Sequence, residues 1–190
     1  MSYNFFAYIS RMRYIERWSL MRNSLPENIQ EHSHMVAVLA HALGIIRRDV
    51  FLRPCEPDKC AAAALYHDCS EILTGDLPTP IKYYNPEIKL AYKEVEKIAG
   101  NRLLDMLPQE LRESYEHYVL EDDAELEPFV KAADKLSAHI KCLEEQKAGN
   151  TEFDSAAKQT WDAMKAMGRP ELDWFLDHCL GAFVLNLDQL

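Results

Sequence analysis

The chain has 190 residues, 48% of them hydrophobic, with six Gly, nine Pro and a net charge of −10 from 21 basic and 31 acidic residues. That length suits one domain with its own core, and the acidic balance argues against a general nucleic-acid binder, whose footprint would be basic. No apolar run approaches the roughly 18–20 residues a membrane span needs, and the N-terminus lacks a signal-peptide core. The five cysteines, Cys55, Cys60, Cys69, Cys142 and Cys179, are odd in number and form no CxxC pair, which fits a soluble protein of a reducing cytoplasm.

Ala, Leu, Glu, Lys and Met dominate while Val, Ile and Thr runs are scarce, so helix is favoured over strand. A first helix covers about Asn4 to Tyr14, followed by a loop through Arg17 and Trp18 to Pro26. The stretch up to Pro26 is basic, with Arg11, Arg13, Arg17 and Arg22 against Glu16 alone. A phosphate would be drawn there; the plainer reading is a solvated helix face and loop. A second helix runs from about Ile29 to Val50 with the stripe Met35, Leu39, Leu43, Ile46. A third starts at Pro57-Asp58 and ends at Gly75. The segment Asp76 to Pro80 is held extended by Pro78 and Pro80. A fourth helix fits Pro86 to Leu107, and a short one follows Pro108. A fifth, Glu127 to Ala148, stops at Gly149-Asn150. Two more carry Phe153, Ala157, Trp161 and Met164, then Leu172, Phe175, Leu176, Cys179 and Phe183. The expected fold is an all-α, single-domain helical bundle over residues 1–190.

Four segments hold the chemically unusual residues. His32 falls on the inward stripe of the second helix, whereas His34 and His41 are turned away; such a His is either a metal ligand or a hydrogen-bonded core residue. His67-Asp68 lies in the apolar AAAALYHDCSEIL, where Ala63 and Ala64 let another helix approach. Two ionisable neighbours there cost several kcal/mol unless paired or metal-bound. Asp134, in FVKAADKLSAHI between Val130 and Ala138, is a ligand or half of a buried salt bridge. Two imidazoles and two carboxylates from three helices make a mixed nitrogen–oxygen set, suited to a catalytic divalent ion rather than a structural zinc site.

The order His32 … His67-Asp68 … Asp134 resembles that of the HD-domain superfamily. The longer strings FFAYISRMRYIERWSLMRNSLPENIQEHS, LYHDCSEILTGDLPTPIKYYN and KAADKLSAHIKCLEE narrow the resemblance to the bacterial 5'-deoxynucleotidase (YfbR-like) family, from Phe5 to about Asn150. The resemblance implies one divalent ion, Co²⁺ or Mn²⁺, on His32, His67, Asp68 and Asp134, and a homodimer that acts on deoxynucleoside monophosphates. It implies that Arg17 orients the phosphate, that Trp18 packs near the sugar and helps exclude a 2'-hydroxyl, and that Asp76, Leu77, Pro78 and Thr79 line the pocket. His32, Asp68 and Asp134 would also face substrate, and Glu71 would assist the attacking water. The segment 110–127 matches no motif.

The chemistry expected is in-line attack of an activated water on the 5'-phosphate. Glu71, three residues after Asp68 and four after His67, shares their helix face and stands beside the ion as a proton acceptor; otherwise it is a helix-surface charge. Asp76 is either the donor to the leaving 5'-oxygen or an ordinary turn residue. The planar fork of Arg17 suits phosphate oxygens, and the wall of Trp18 rejects an added hydroxyl by clash. Lys82 is a further phosphate candidate or a surface lysine. The competing readings are a deoxynucleotide triphosphohydrolase, a phosphodiesterase and a non-catalytic nucleotide sensor.

Overall fold

The helix-forming composition is realised as ten α-helices in a computed structural model that describes residues 2–82 and 84–190. They are α1 Phe5–Ile9, α2 Ile29–Ile45, α3 Pro57–Tyr66, α4 Glu71–Thr74, α5 Thr79–Lys82, α6 Pro86–Leu104, α7 Gln109–Leu120, α8 Glu127–Lys147, α9 Asp154–Ala166 and α10 Pro170–His178. Among the described residues the extended structure amounts to an isolated bridge between Glu16 and Asn28. The fold is all-α, and no described helix is long and apolar enough to cross a membrane.

Helix α2 begins where the Asn28 side chain accepts from the backbone N–H groups of Gln30 and Glu31, satisfying two donors a helix start leaves unpaired. It packs on α3 and α8 through Val36, Leu39, Ala40 and Leu43, which meet Ala63 and Ala64 of α3 and Ala132, Ala133 and Leu136 of α8 in one buried cluster. The alanines are what let three helices approach closely. A second cluster joins Phe5 and Ile29 to Cys69, Leu103 and Leu104, and a third sets Trp18 and Met21 against Cys142, Phe153 and Ala157.

Two expectations about local structure are corrected. The helix from Pro57 does not run unbroken to Gly75. It ends at Tyr66, and the chain turns through residues 67–70 before α4. The turn is made of tight i→i+3 bonds, Cys69 to Tyr66 and Glu71 to Asp68, while the His67 ring bonds the Ala64 carbonyl at 2.7 Å. A side chain on that carbonyl competes with the ladder a longer helix would need. Gly75 then turns with φ +75°. Nor are Thr79 and Pro80 extended, because they open α5. Pro80 sits in the first turn, where its missing N–H costs nothing, and Ile81 and Lys82 both donate to the Pro78 carbonyl.

Candidate functional site

Three elements converge on one point. The first turn of α2 supplies His32, the break after α3 supplies His67 and Asp68, and the middle of α8 supplies Asp134. His32 Nε2 lies 3.1 Å from Asp134 Oδ1 and 3.6 Å from Asp68 Oδ2, and His67 Nε2 lies 3.1 Å from Asp68 Oδ2. One ligand atom from each of His32, His67 and Asp68 falls within 4.8 Å of the others.

Each imidazole is held through its other nitrogen. The Ala64 carbonyl accepts from His67 Nδ1 at 2.7 Å, and Ser137 Oγ lies 3.2 Å from His32 Nδ1. A carbonyl can only accept, so Nδ1 of His67 carries a proton and Nε2 is the nitrogen turned inward. That buried Nε2 makes no hydrogen bond with any described residue, its approach to Asp68 being misaligned. A buried, unpartnered nitrogen beside two carboxylates fits a bound cation, and the two-nitrogen, two-oxygen donor set fits a divalent one.

The charges agree. Burial alone would lower His67, but Asp68 overrides it and pushes the imidazole up to about 10. A site that draws a proton so strongly calls for positive charge. Burial and the nearby Arg17 lower His32. Burial opposes ionisation of Asp68 and Asp134, yet the surrounding His67, His32 and Arg17 for the one, and Lys135 and His32 for the other, hold both below the usual carboxylate range. Glu71 goes the opposite way: burial, then Asp68 and Asp76, push it up to about 9, and its Oε2 is buried without a hydrogen-bond partner. Asp76 is raised by burial despite Arg17.

Arg17 and Trp18 arrive on the loop before α2, which doubles back on itself. Arg17 N donates to Glu27 O at 2.9 Å and Ile29 N to Ile15 O at 2.9 Å. Trp18 has φ +59°, a backbone state that costs a bulky residue on the order of 1–3 kcal/mol and persists only where surroundings enforce it. Its ring leans on Phe153 at 5.3 Å between centroids. The Arg17 guanidinium reaches Asp68 Oδ2 at 3.2 Å.

A cavity of about 460 Å³ opens beside this cluster, with Arg17, Trp18, Asp76, Pro78, Thr79 and Asp134 in its wall and Ser155, Ala156 and Gln159 of α9 opposite. Leu77, expected in the lining, is half-buried and does not contribute to it. Glu71 is buried and does not line the cavity. Lys82 is engaged elsewhere, 2.7 Å from Glu96 and over the Tyr92 ring. Residues 110–127, which matched no motif, run from α7 through the turn after it to the first residue of α8. Sequence reading overlooked Glu27, which contacts both Arg17 and Trp18, and Ser137, whose placement one turn after Asp134 was the available signal. It also overlooked the α9 wall.

A family model described as 5'-deoxynucleotidase YfbR-like matches residues 4–183. A 5'-deoxynucleotidase of Shewanella oneidensis is 46% identical over 187 residues, 97% of this chain and 96% of that protein. Among solved structures, an HD-domain phosphohydrolase from Listeria innocua aligns with TM-score 0.81 at 20% identity, over 97% of this chain and 90% of the other. The cyanophage S-2L HD phosphohydrolase, bound to dA and one catalytic Zn²⁺ ion, aligns with TM-score 0.66 at 21% identity, over 92% and 95%. At such identities these two structures bear on the fold, which is that of the HD-domain phosphohydrolases.

Proposed function

The chain belongs to the 5'-deoxynucleotidase YfbR-like family, and from that premise we infer that it hydrolyses deoxyribonucleoside 5'-monophosphates to deoxynucleoside and inorganic phosphate. The observation that carries the reading is the meeting of His32, His67 and Asp68 atoms within 4.8 Å of one another, beside a cavity into which Arg17 and Asp134 both project.

In this reading His32, His67, Asp68 and Asp134 hold one divalent ion, Co²⁺ or Mn²⁺, whose imidazole and carboxylate donors suit either metal. Bound there, the ion supplies an activated water and offsets phosphate charge. The rest falls to the side chains. Arg17 already faces Asp68 at 3.2 Å, so its fork is placed to take phosphate oxygens bidentately at the same spot. Glu71 takes the proton of the attacking water; burial, Asp68 and Asp76 push it up to about 9 in the metal-free protein, and a cation bound beside it would lower it toward the carboxylate that can act as the base. Asp76, which burial raises, is the donor to the leaving 5'-oxygen. Trp18 walls the sugar and rejects a 2'-hydroxyl. Pro78 and Thr79 shape the sugar side. His32, Asp68 and Asp134 face the phosphate.

We place residues 1–190 in one domain, on the ground that α2, α3, α8 and α10 share one buried cluster. The family resemblance supports a homodimer, and five free cysteines support a cytoplasmic location.

The test is release of phosphate from dAMP and from AMP by chelator-stripped protein, with and without added Co²⁺ or Mn²⁺. The expected result is metal-dependent release from dAMP with little from AMP. Equal release from both removes the Trp18 selectivity. No release from either, in folded protein that binds metal, overturns the monophosphatase reading in favour of a triphosphohydrolase, a phosphodiesterase or a nucleotide sensor.

A further inference from the structure

Glu27 is a carboxylate that touches both arms of the substrate pocket. Its Oε2 accepts from Arg17 Nε at 3.0 Å and from Trp18 Nε1 at 3.0 Å. The Arg17 and Glu27 side chains are only 13% and 16% exposed, so these bonds are largely shielded from water and stronger than a surface ion pair. The backbone adds a third link, Arg17 N to the Glu27 carbonyl at 2.9 Å. Glu27 is itself anchored, since Asn28 next to it caps α2 and pairs with Glu16. The Arg17 guanidinium has its NH1 on Asp68. With Nε on Glu27 and NH1 on Asp68, its plane cannot swing. The indole, on a backbone at φ +59°, is pinned at its N–H end by Glu27 and rests against the tilted ring of Phe153.

We propose that Glu27 is a positioning residue that locks the phosphate-orienting Arg17 and the sugar-facing Trp18 into one rigid unit, so that phosphate alignment and discrimination against a 2'-hydroxyl depend on the same carboxylate oxygen. This rests on the monophosphatase reading. It goes beyond it by linking two properties that otherwise vary separately: a wall set only by packing would keep its selectivity when the arginine loosened. Glu27→Gln keeps the size but removes the charge, so the Arg17 bond loses its charge assistance and a single amide oxygen is left for two donors.

The experiment measures kcat and KM for dAMP and AMP, with Mn²⁺ present, in the wild type, in Glu27→Gln and in Trp18→Phe, which deletes the indole N–H and retains an aromatic ring. The expected result for Glu27→Gln is a loss of roughly tenfold or more in kcat/KM for dAMP, the scale on which a displaced binding group costs rate, together with a narrower dAMP-to-AMP ratio. Trp18→Phe narrows the ratio as well, and the double variant narrows it less than the product of the two single effects. A merely structural role for Glu27 lowers both substrates in proportion, and an unchanged ratio in Glu27→Gln overturns the proposal. Should that variant fail to fold, the Trp18→Phe ratio decides, an unchanged ratio again overturning it. A wild type that releases no phosphate from dAMP sinks the functional reading itself, a distinct result.

Discussion

The Nδ1 of His67 donates to the carbonyl oxygen of Ala64 at 2.7 Å, one turn back along the helix that ends there. That bond does two things at once. It marks the break between α3 and α4, and it turns Nε2 of the same ring toward His32, Asp68 and Asp134, where it has no hydrogen-bond partner. The geometry of the proposed ligands is thus set by backbone that belongs to the core.

The metal-free protein should lose stability as pH rises from about 7 to about 9. His67 moves from 6.5 to about 10 and Glu71 from 4.5 to about 9 on folding. Across that window the folded state keeps protons that the unfolded state has released, so unfolding becomes easier at higher pH. The lowered His32, Asp68 and Asp134 act at lower pH and do not offset this. A bound cation takes the place of the His67 proton. The melting temperature in chelator is expected to fall across this range, and saturating Mn²⁺ to flatten or reverse the fall. Equal slopes with and without metal would contradict the assignment of His67 to the ligand set.

Glu71→Gln separates activity from stability. The kcat for dAMP is expected to drop by about 10²- to 10⁴-fold, the scale of a lost general base, while the metal-free variant melts higher than wild type near neutral pH because a buried carboxyl that must take up a proton on folding has been replaced by a neutral amide. Steady-state kinetics and a thermal melt on the same preparation check both. A variant with normal kcat would remove Glu71 from the reaction.

Ser137→Ala deletes the partner of His32 Nδ1 at 3.2 Å. Without it the ring loses the bond on Nδ1 that favours Nε2 facing Asp134. Metal affinity is expected to weaken by about 10- to 100-fold, as when such supporting bonds are cut elsewhere. Calorimetric titration of chelator-stripped protein with Co²⁺ measures it, and an unchanged dissociation constant would show that packing alone orients the ring.

Glu145→Ala tests how the Arg17 loop is tied to α8. The Glu145 carboxylate is fully buried and accepts from Ser24 N at 2.8 Å, Leu25 N at 3.1 Å, Asn150 Nδ2 at 2.8 Å and the Lys141 ammonium. These donors hold it below the usual carboxylate range, against the opposing effect of burial. Removing it strands two backbone N–H groups and leaves the buried Lys141, which keeps its bond to the Leu25 carbonyl, without its counter-charge, for a loss of about 3–5 kcal/mol. Urea denaturation should report that loss, and a change within experimental error would show the loop to be held by other contacts.

What the sequence determined by itself was whatever depends on local periodicity and composition. The 3.6-residue stripe through Leu39 and Leu43 placed His32 inward, and it is fully buried. The alanines before His67-Asp68 announced a close helix crossing, and α2, α3 and α8 do meet there. Ala, Leu and Glu in place of β-branched runs meant helix, and the expected starts at Pro86 and Glu127 are where α6 and α8 begin. The order of the four candidate ligands was legible only through family resemblance. The tertiary structure alone decided what depends on long-range register. Residues 32 and 134 are far apart in sequence yet 3.1 Å apart in space. Glu27 reaches both Arg17 and Trp18 only because the loop folds back along the Glu16–Asn28 bridge. The break at residues 67–70 left no mark in periodicity, because its cause is one side-chain bond to one carbonyl. Hydrophobic pattern says which face of a helix turns inward. It does not say which other face it meets, or at what height, because that is set by how three helices of different length and residue size pack together.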